Sequence, residues 1–139
     1  MSNRHRQARL YRATMKRIPV MQPLRDEFSM LLHTSLCCLH LAPTRDAFNN
    51  LARVFNIVGI ALENDRQHQH EARIVAGGAA ALNQVMPKVD AGMKLAEHER
   101  APIRVAINTI DGLLGRLSVT DLYVAMKTLD AMETSMEAA

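Results

Sequence analysis

The chain contains no tryptophan, and aromatic side chains make up only 4% of its 139 residues, so base stacking on an aromatic platform is poorly supported. Its two cysteines, Cys37 and Cys38, are adjacent, which excludes a disulfide framework and favours a reducing compartment, the cytoplasm. No apolar run approaches the roughly 18 residues that a transmembrane helix needs, so we expect no membrane partner. The basic N-terminus lacks the apolar stretch of a secretory signal.

Signatures of the common enzyme classes are missing as well. The chain has no Gly-x-Ser-x-Gly nucleophile elbow, no phosphate-binding loop, no dinucleotide-binding glycine motif and no His-Glu-x-x-His pair. We therefore expect a protein that is not an enzyme and that needs no cofactor.

The chain does contain enough apolar sequence for one folded domain, because 48% of its residues are apolar and 22% are charged. From Pro23 onwards, apolar residues recur with the spacing of a helix, and no stretch alternates apolar and polar residues over the length of a β-strand. The pattern predicts an all-α fold, a compact bundle of about five helices with a basic, extended or partly disordered N-terminal arm. We place the arm at residues 1–22 and the helical bundle domain at residues 23–139.

The first two helices are the most clearly marked. Apolar spacing predicts the first from Leu24 to His40, ahead of the helix-breaking Pro43. Thr44 is suited to cap the N-terminus of the second helix, whose apolar residues, Phe55 among them, cover almost every face. A helix that is apolar nearly all round normally lies at the centre of its bundle. We therefore expect the second helix to be the most buried element.

A glycine pair marks the third helix. A polar connection at 63–70 leads into this helix, and we expect it to end near Met86 because Pro87 limits its continuation. Gly77 and Gly78 lower the helix propensity of its middle. The pair predicts either close approach to a neighbouring helix or oligomer partner, or a break between two shorter helices.

The segment 87–101 shows no clear pattern and separates the third helix from the fourth. Pro102 predicts the start of the fourth helix, because proline is well suited to a first helical turn. Either Ser118 or Thr120 caps the last helix, which carries several methionines on its apolar face.

Charge is distributed unevenly along the chain. Residues 1–25 carry seven basic side chains and no acidic one, whereas the other 114 residues carry ten basic and 14 acidic side chains. A segment of this kind attracts polyanions, because each phosphate that it neutralises releases counterions. The candidate polyanion-binding residues are Arg4, Arg6, Arg9, Arg12, Lys16 and Arg17. The alternatives are a solubilising tail and an arm that contacts an acidic protein.

Three residue types that bind metals share one stripe of the first helix. His33, Cys37 and His40 follow one another at i, i+4 and i+7, and imidazole nitrogen and thiolate sulfur are suitable donors for zinc. The pattern predicts either a metal site, for which the sequence identifies no fourth ligand, or a second packing face against another helix.

Together these features predict a non-enzymatic helical binding protein, a regulator or inhibitor that docks on a nucleic-acid-processing machine. Its partner is a protein or nucleoprotein complex, and the arm contacts nucleic acid or another polyanion directly. The first alternative is a self-assembling structural or adaptor protein that forms a homo-oligomer through Gly77 and Gly78 or through methionine-rich helix faces. The second alternative is a metal-binding protein or metal-dependent enzyme centred on His33, Cys37 and His40.

Overall fold

The computed structural model describes residues 18–138 of the chain, and α-helices account for most of this part. The helices are α1 (Gln22–Leu41), α2 (Arg45–Leu62), α3 (Gln69–Asp90), α4 (Glu97–Leu114) and α5 (Val119–Ala138). One 3-10 turn, Arg66–His68, lies in the connection between α2 and α3. Residues 18–138 contain no β-strand beyond a single isolated bridge between Pro19 and Ser118. The predicted all-α bundle of about five helices is confirmed.

Helix α2 lies at the centre of the bundle. Helices α1, α3 and α5 each pack against it, while α4 packs against α1 and α3. The start of α2 is fixed by Thr44, whose Oγ1 accepts a hydrogen bond from the Ala47 N–H at 3.2 Å. Eight of its residues are buried: Ala47, Phe48, Leu51, Val54, Phe55, Ile57, Val58 and Leu62. The predicted cap and the predicted central position are both confirmed.

Helix α3 is longer than the sequence indicated. The predicted end near Met86 is wrong, because the helix continues through Pro87 to Asp90. Proline removes one backbone hydrogen bond, but Val89 in the following turn is only 3% exposed and holds that turn against the core. The helix is also continuous through the glycine pair, so the alternative of two shorter helices is wrong.

A glycine in the left-handed region ends α3. Gly92 has a φ of 68°, and its N–H donates to the Val89 carbonyl oxygen at 3.0 Å, while the Met93 N–H donates to the Lys88 carbonyl oxygen at 2.9 Å. These two bonds form the Schellman motif that satisfies the free carbonyls at a helix end. A side chain at residue 92 would strain this backbone, which explains why glycine occupies it.

Helix α4 begins earlier than predicted. Its first residue is Glu97, so Pro102 lies inside the helix and not in its first turn. The start is held by the Glu99 carboxylate, which accepts from the Ala96 N–H at 2.9 Å and from the Lys88 ammonium group at 2.7 Å. These local bonds and the packing of α4 along α3 outweigh the hydrogen bond that Pro102 lacks.

The chain enters the described part beside the start of α5. The Ile18 carbonyl oxygen accepts from the Val119 N–H at 3.1 Å, and the Val20 N–H donates to the Leu117 carbonyl oxygen at 3.3 Å. Val20 is only 2% exposed and belongs to the core. The stretch assigned from sequence to the arm, 1–22, therefore includes a core residue. Residues 1–17 lie outside the described part, so the extended or partly disordered conformation expected for them stays a prediction.

Candidate binding surface

All six cations predicted to bind polyanions precede residue 18 and lie outside the described residues: Arg4, Arg6, Arg9, Arg12, Lys16 and Arg17. The structure does define where this segment is attached, because Ile18 is hydrogen-bonded to Val119 at the first turn of α5. The N-terminus of α5 is therefore the place on the helical body from which the cations start. Polyanion binding by these residues stays a prediction.

Helix α5 borders two grooves on the surface of the body. It makes its main contacts with α2, through a buried stripe formed by Leu122, Ala125 and Leu129. One groove, which we call the methionine groove, has a volume of about 500 Å³ and lies between α3 and α5 with Phe55 of α2 at its base. Met132 and Met136 on its α5 side are 55% and 78% exposed.

The second groove, which we call the junction groove, lies where α2 ends and α5 begins. It has a volume of about 480 Å³. Its lining residues are Ile60, Ala61, Asn64, Thr120, Asp121, Val124 and Ala125. Four of the seven are aliphatic, so the groove offers mostly apolar surface beside the attachment point of the arm.

One acidic side chain, Asp121, lines the junction groove. Asp121 lies in the first turn of α5, where a carboxylate favours the helix dipole, and it forms no ion pair within residues 18–138. Helix α2 has no basic side chain in its last turn, so the partial negative charge of its C-terminal carbonyls is not offset there. The buried Thr120 Oγ1 has no hydrogen-bond partner among residues 18–138.

The structure does not bring the three predicted metal-binding residues together as a site. The His33 Nε2 is 2.6 Å from the Asp111 Oδ2 on α4, and this contact connects α1 to α4. Cys37 and His40 are exposed on α1. Across residues 18–138, no group of three His, Cys, Asp or Glu side chains is arranged to hold a metal ion.

The two glycines of α3 have different surroundings. A Cβ on Gly78 would collide with the Cβ of Ala106 on α4 and would lie 3.3 Å from the Pro102 carbonyl oxygen. A Cβ on Gly77 would meet nothing within 4 Å. Gly78 therefore lies where α3 and α4 of the same chain approach closely, while an oligomer contact through either glycine stays a prediction.

Two acidic side chains in the first turn of α4 form ion pairs: Glu99 with Lys88 in the last turn of α3, and Glu97 with Arg104 of α4 itself. A hydrogen bond from Lys88, joined by one from the Ala96 N–H, lowers the pKa of Glu99 below its usual value. A hydrogen bond from Arg104 likewise lowers the pKa of Glu97. These carboxylates keep their charge to lower pH in the folded protein, because the charged form is the one that accepts the bonds.

A third carboxylate, Asp65, is fixed in the connection between α2 and α3. Burial raises its pKa, but hydrogen bonds from His68 and from the Gln67 N–H outweigh burial and lower it overall. The Asp65 Oδ2 is 2.7 Å from the His68 Nδ1, and Oδ1 accepts from the Gln67 N–H at 2.9 Å. These bonds shape the 3-10 turn, so Asp65 and His68 have a structural role.

The junction groove was not predicted from the sequence, although two signals for it exist. Val124 lies on α5 away from its buried stripe and is 55% exposed, and Asp121 is an acid in the first turn of α5. Their meeting with Ile60 and Ala61 depends on how α5 crosses α2, which periodicity does not specify.

The chain has no match among models of protein families, among curated proteins or among solved structures. Function is therefore inferred from its own residues. No helix within residues 18–138 has the length and apolar character required to cross a membrane.

Proposed function

We propose that this protein is a non-enzymatic helical binding protein that docks on a protein or nucleoprotein machine and contacts a polyanion with its basic N-terminal arm. Regulation or inhibition of nucleic-acid processing is the most concrete form of this function. One observation carries the proposal: six cations without a single acid lie in residues 4–17. Their attachment to the body at Val119 supports it, because the cations then begin from one defined place.

Electrostatics favours the arm over the body as the polyanion contact. The 114 residues that follow residue 25 carry 14 acidic and ten basic side chains, so phosphates are repelled by the body on average. Several body cations are already paired with acids, as in the contacts of Arg53 with Asp130 at 3.0 Å and of Arg104 with Glu97 at 2.8 Å. The arm carries no acid that would compete with phosphate for its cations.

A cytoplasmic location is part of the proposal. Cys37 and Cys38 are both exposed and both free, which suits a reducing compartment. An oxidising compartment would expose these two thiols to disulfide exchange with other proteins.

The experiment compares two triple alanine variants on immobilised heparin, eluted with increasing salt. One variant removes three arm cations, and the other removes three exposed body cations that form no ion pair within residues 18–138. The two sets are Arg4, Arg6 and Arg9 in the arm, and Arg66, Arg73 and Lys94 in the body. Equal charge removal makes the second variant a matched control.

We expect the arm variant to elute at clearly lower salt than the wild type, and the body variant to elute close to it. Phosphate contacts position a protein without reading bases, so short duplexes of unrelated sequence should show the same order of affinities. Equal elution of the two variants would contradict the proposal, because retention would then follow net charge and not the arm.

A further inference from the structure

Helix α1 exposes a largely apolar stripe on the side that faces away from the core. Its buried residues are Leu32, Ser35 and Leu39. The residues on the opposite side of the helix, which we call the α1 seam, are Met30, Thr34, Cys37 and Leu41. All four are exposed in the described part of the chain, and the two largest, Met30 and Leu41, are each 71% exposed. Residues 18–138 therefore leave the seam uncovered.

The seam lies in the longest stretch of the chain without a charged side chain. No Asp, Glu, Lys or Arg occurs in the 17 residues 28–44. An exposed helix face normally carries charged residues. Helix α3 shows the difference, because its own uncharged stretch, 74–87, exposes no large apolar side chain. A contiguous apolar patch that meets water marks an interaction site, so the α1 seam has the composition of an interface.

This composition selects a second copy of the chain as the partner. A polyanion or an anionic lipid surface is bound by Lys and Arg, and the stretch 28–44 contains neither. The central parts of protein interfaces are poor in charged residues and rich in methionine, and homodimer interfaces are the most apolar. In a two-fold contact each surface meets itself, so a charge near the axis faces the same charge. A seam without charge avoids this repulsion.

The charges and the spacing of α1 favour an antiparallel pair. A parallel pair would place Asp26 and Glu27 beside the same acids of the second copy. An antiparallel pair centred on the seam separates the two Glu27 side chains by roughly 25 Å along the helix axis, well beyond the screening length at physiological salt. The seam residues follow one another at intervals of four, three and four. This order is the same from either end, so the two seams match in antiparallel register.

We propose that two copies of this chain form a dimer in which their α1 seams pack against each other in antiparallel orientation. Met30 of one copy lies opposite Leu41 of the second copy, and the two-fold axis passes between Thr34 and Cys37. Cys37 is thereby buried in the interface, which gives its stripe on α1 the second packing face that the sequence offered as an alternative to a metal site. The proposal does not depend on polyanion binding.

Two methionine substitutions in sedimentation experiments test the surface. Met30→Glu changes the seam, and Met136→Glu changes the methionine groove, where Met136 is 78% exposed. The two sites form a matched pair, because each lies on an exposed helix face three residues after a glutamate, Glu27 or Glu133. We expect the wild type and Met136→Glu to sediment as dimers at micromolar concentrations. Met30→Glu should weaken the dimer by about 100-fold or more, because the interface would bury an unpaired carboxylate.

Three results would overturn the proposal: a monomeric wild type, a dimer that survives Met30→Glu unchanged, and equal weakening by both variants. Circular dichroism establishes that both variants keep their helicity.

A second substitution tests the direction of the pair. In the antiparallel dimer, a lysine at position 41 meets the glutamate at position 30 of the other copy. Adding Leu41→Lys to Met30→Glu should therefore recover about tenfold or more of the lost affinity. Lysine suits position 41, because it lies in the last turn of α1 and a cation is favourable there. A parallel dimer would set each new charge beside its own copy, so a double variant no tighter than Met30→Glu would contradict the arrangement.

The reactivity of one thiol locates the interface on α1. Cys38→Ser leaves Cys37 as the only thiol of the chain. We expect its rate of alkylation by excess iodoacetamide to fall several-fold as the protein concentration rises through the range in which the dimer forms. In the Met30→Glu background the rate should be the same at all concentrations.

Two outcomes of the alkylation experiment would overturn the proposal. A rate that stays constant while the dimer forms would place the interface elsewhere, and a rate that is slow at every concentration would mean that the chain covers Cys37 by itself. Every measurement is made without a polyanion, so failure here is distinct from failure of the heparin experiment.

Discussion

The two glycines of α3 should respond to the same substitution with opposite signs. Gly77 and Gly78 are neighbours in one continuous helix, so Gly77→Ala and Gly78→Ala bring the same side chain and the same change in helix propensity. Only the surroundings differ: a Cβ at Gly77 meets open space, whereas a Cβ at Gly78 collides with Ala106 of α4. Each variant is the control for the other.

The expected magnitudes follow from these surroundings. At Gly77, alanine adds its helix propensity, which is worth about 1 kcal/mol relative to glycine. At Gly78 the same gain is opposed by overpacking, because α4 must move away from α3, and such strain costs about 1–3 kcal/mol. The two variants should therefore differ by about 1–3 kcal/mol in free energy of unfolding, with Gly77→Ala the more stable.

Thermal and urea unfolding measure this difference. For a chain of this length, a change of 1 kcal/mol shifts the melting temperature by about 4 °C, so the two variants are readily separated. Sedimentation of both variants ensures that the same oligomeric state is compared. Equal stabilisation by both substitutions would refute the close approach of α3 and α4 at Gly78.

Three further predictions concern the core, the arm boundary and pH. Phe55 is 1% exposed at the centre of α2, so Phe55→Ala should lower the free energy of unfolding by about 3–5 kcal/mol in urea titrations, and a native midpoint would place α2 at the periphery. Removal of residues 1–17 should preserve helicity and cooperative melting. Removal of residues 1–22 should lower the melting temperature below that of the shorter deletion, because Val20 is lost from the core. The pKa of Glu99 is lowered in the folded state, so its stabilisation is fully present above the ordinary pKa of glutamate and is lost as the pH falls through the lowered value. The stability gap between wild type and Glu99→Gln should accordingly narrow on acidification, and a gap that stays constant from about pH 7 to pH 3 would contradict this.

Local signals predicted the helices that begin with a cap. Thr44 accepts the hydrogen bond expected of it, and Ser118 rather than Thr120 caps α5, with its Oγ accepting from the Asp121 N–H at 3.1 Å. These positions were predictable because a cap acts within three or four residues. The apolar stripe of α2 was equally informative, since its width indicated burial on several sides.

The helix boundaries predicted at the two prolines are wrong, because tertiary packing outweighs a local preference. Pro87 and Pro102 both lie inside helices, where each removes one hydrogen bond. Buried Val89 beyond Pro87, and the bonds of Glu99 ahead of Pro102, stabilise the turns that the prolines weaken. The bond between Lys88 and Glu99 joins two different helices, and the burial of Val89 depends on the surrounding core, so the periodicity of a single helix reveals neither.

Candidate sites were less predictable than helices for the same reason. His33 shares a stripe with Cys37 and His40 in the sequence, but its Nε2 contacts Asp111, 78 residues away. The junction groove likewise depends on the crossing of α2 and α5 around Ile60 and Val124. Only the charge of the arm was evident from composition, since it requires no knowledge of packing.

The salt dependence of DNA binding is the most direct test of the proposed function. Affinity for a short duplex, measured by fluorescence anisotropy over a series of salt concentrations, gives a slope that counts phosphate contacts. If all six arm cations contact phosphate, the slope of log affinity against log salt is about −5, at about 0.9 per contact. We predict a steep slope for the wild type and a slope near zero for a variant with alanine at these six positions. The same slope in both proteins would contradict the role assigned to the arm.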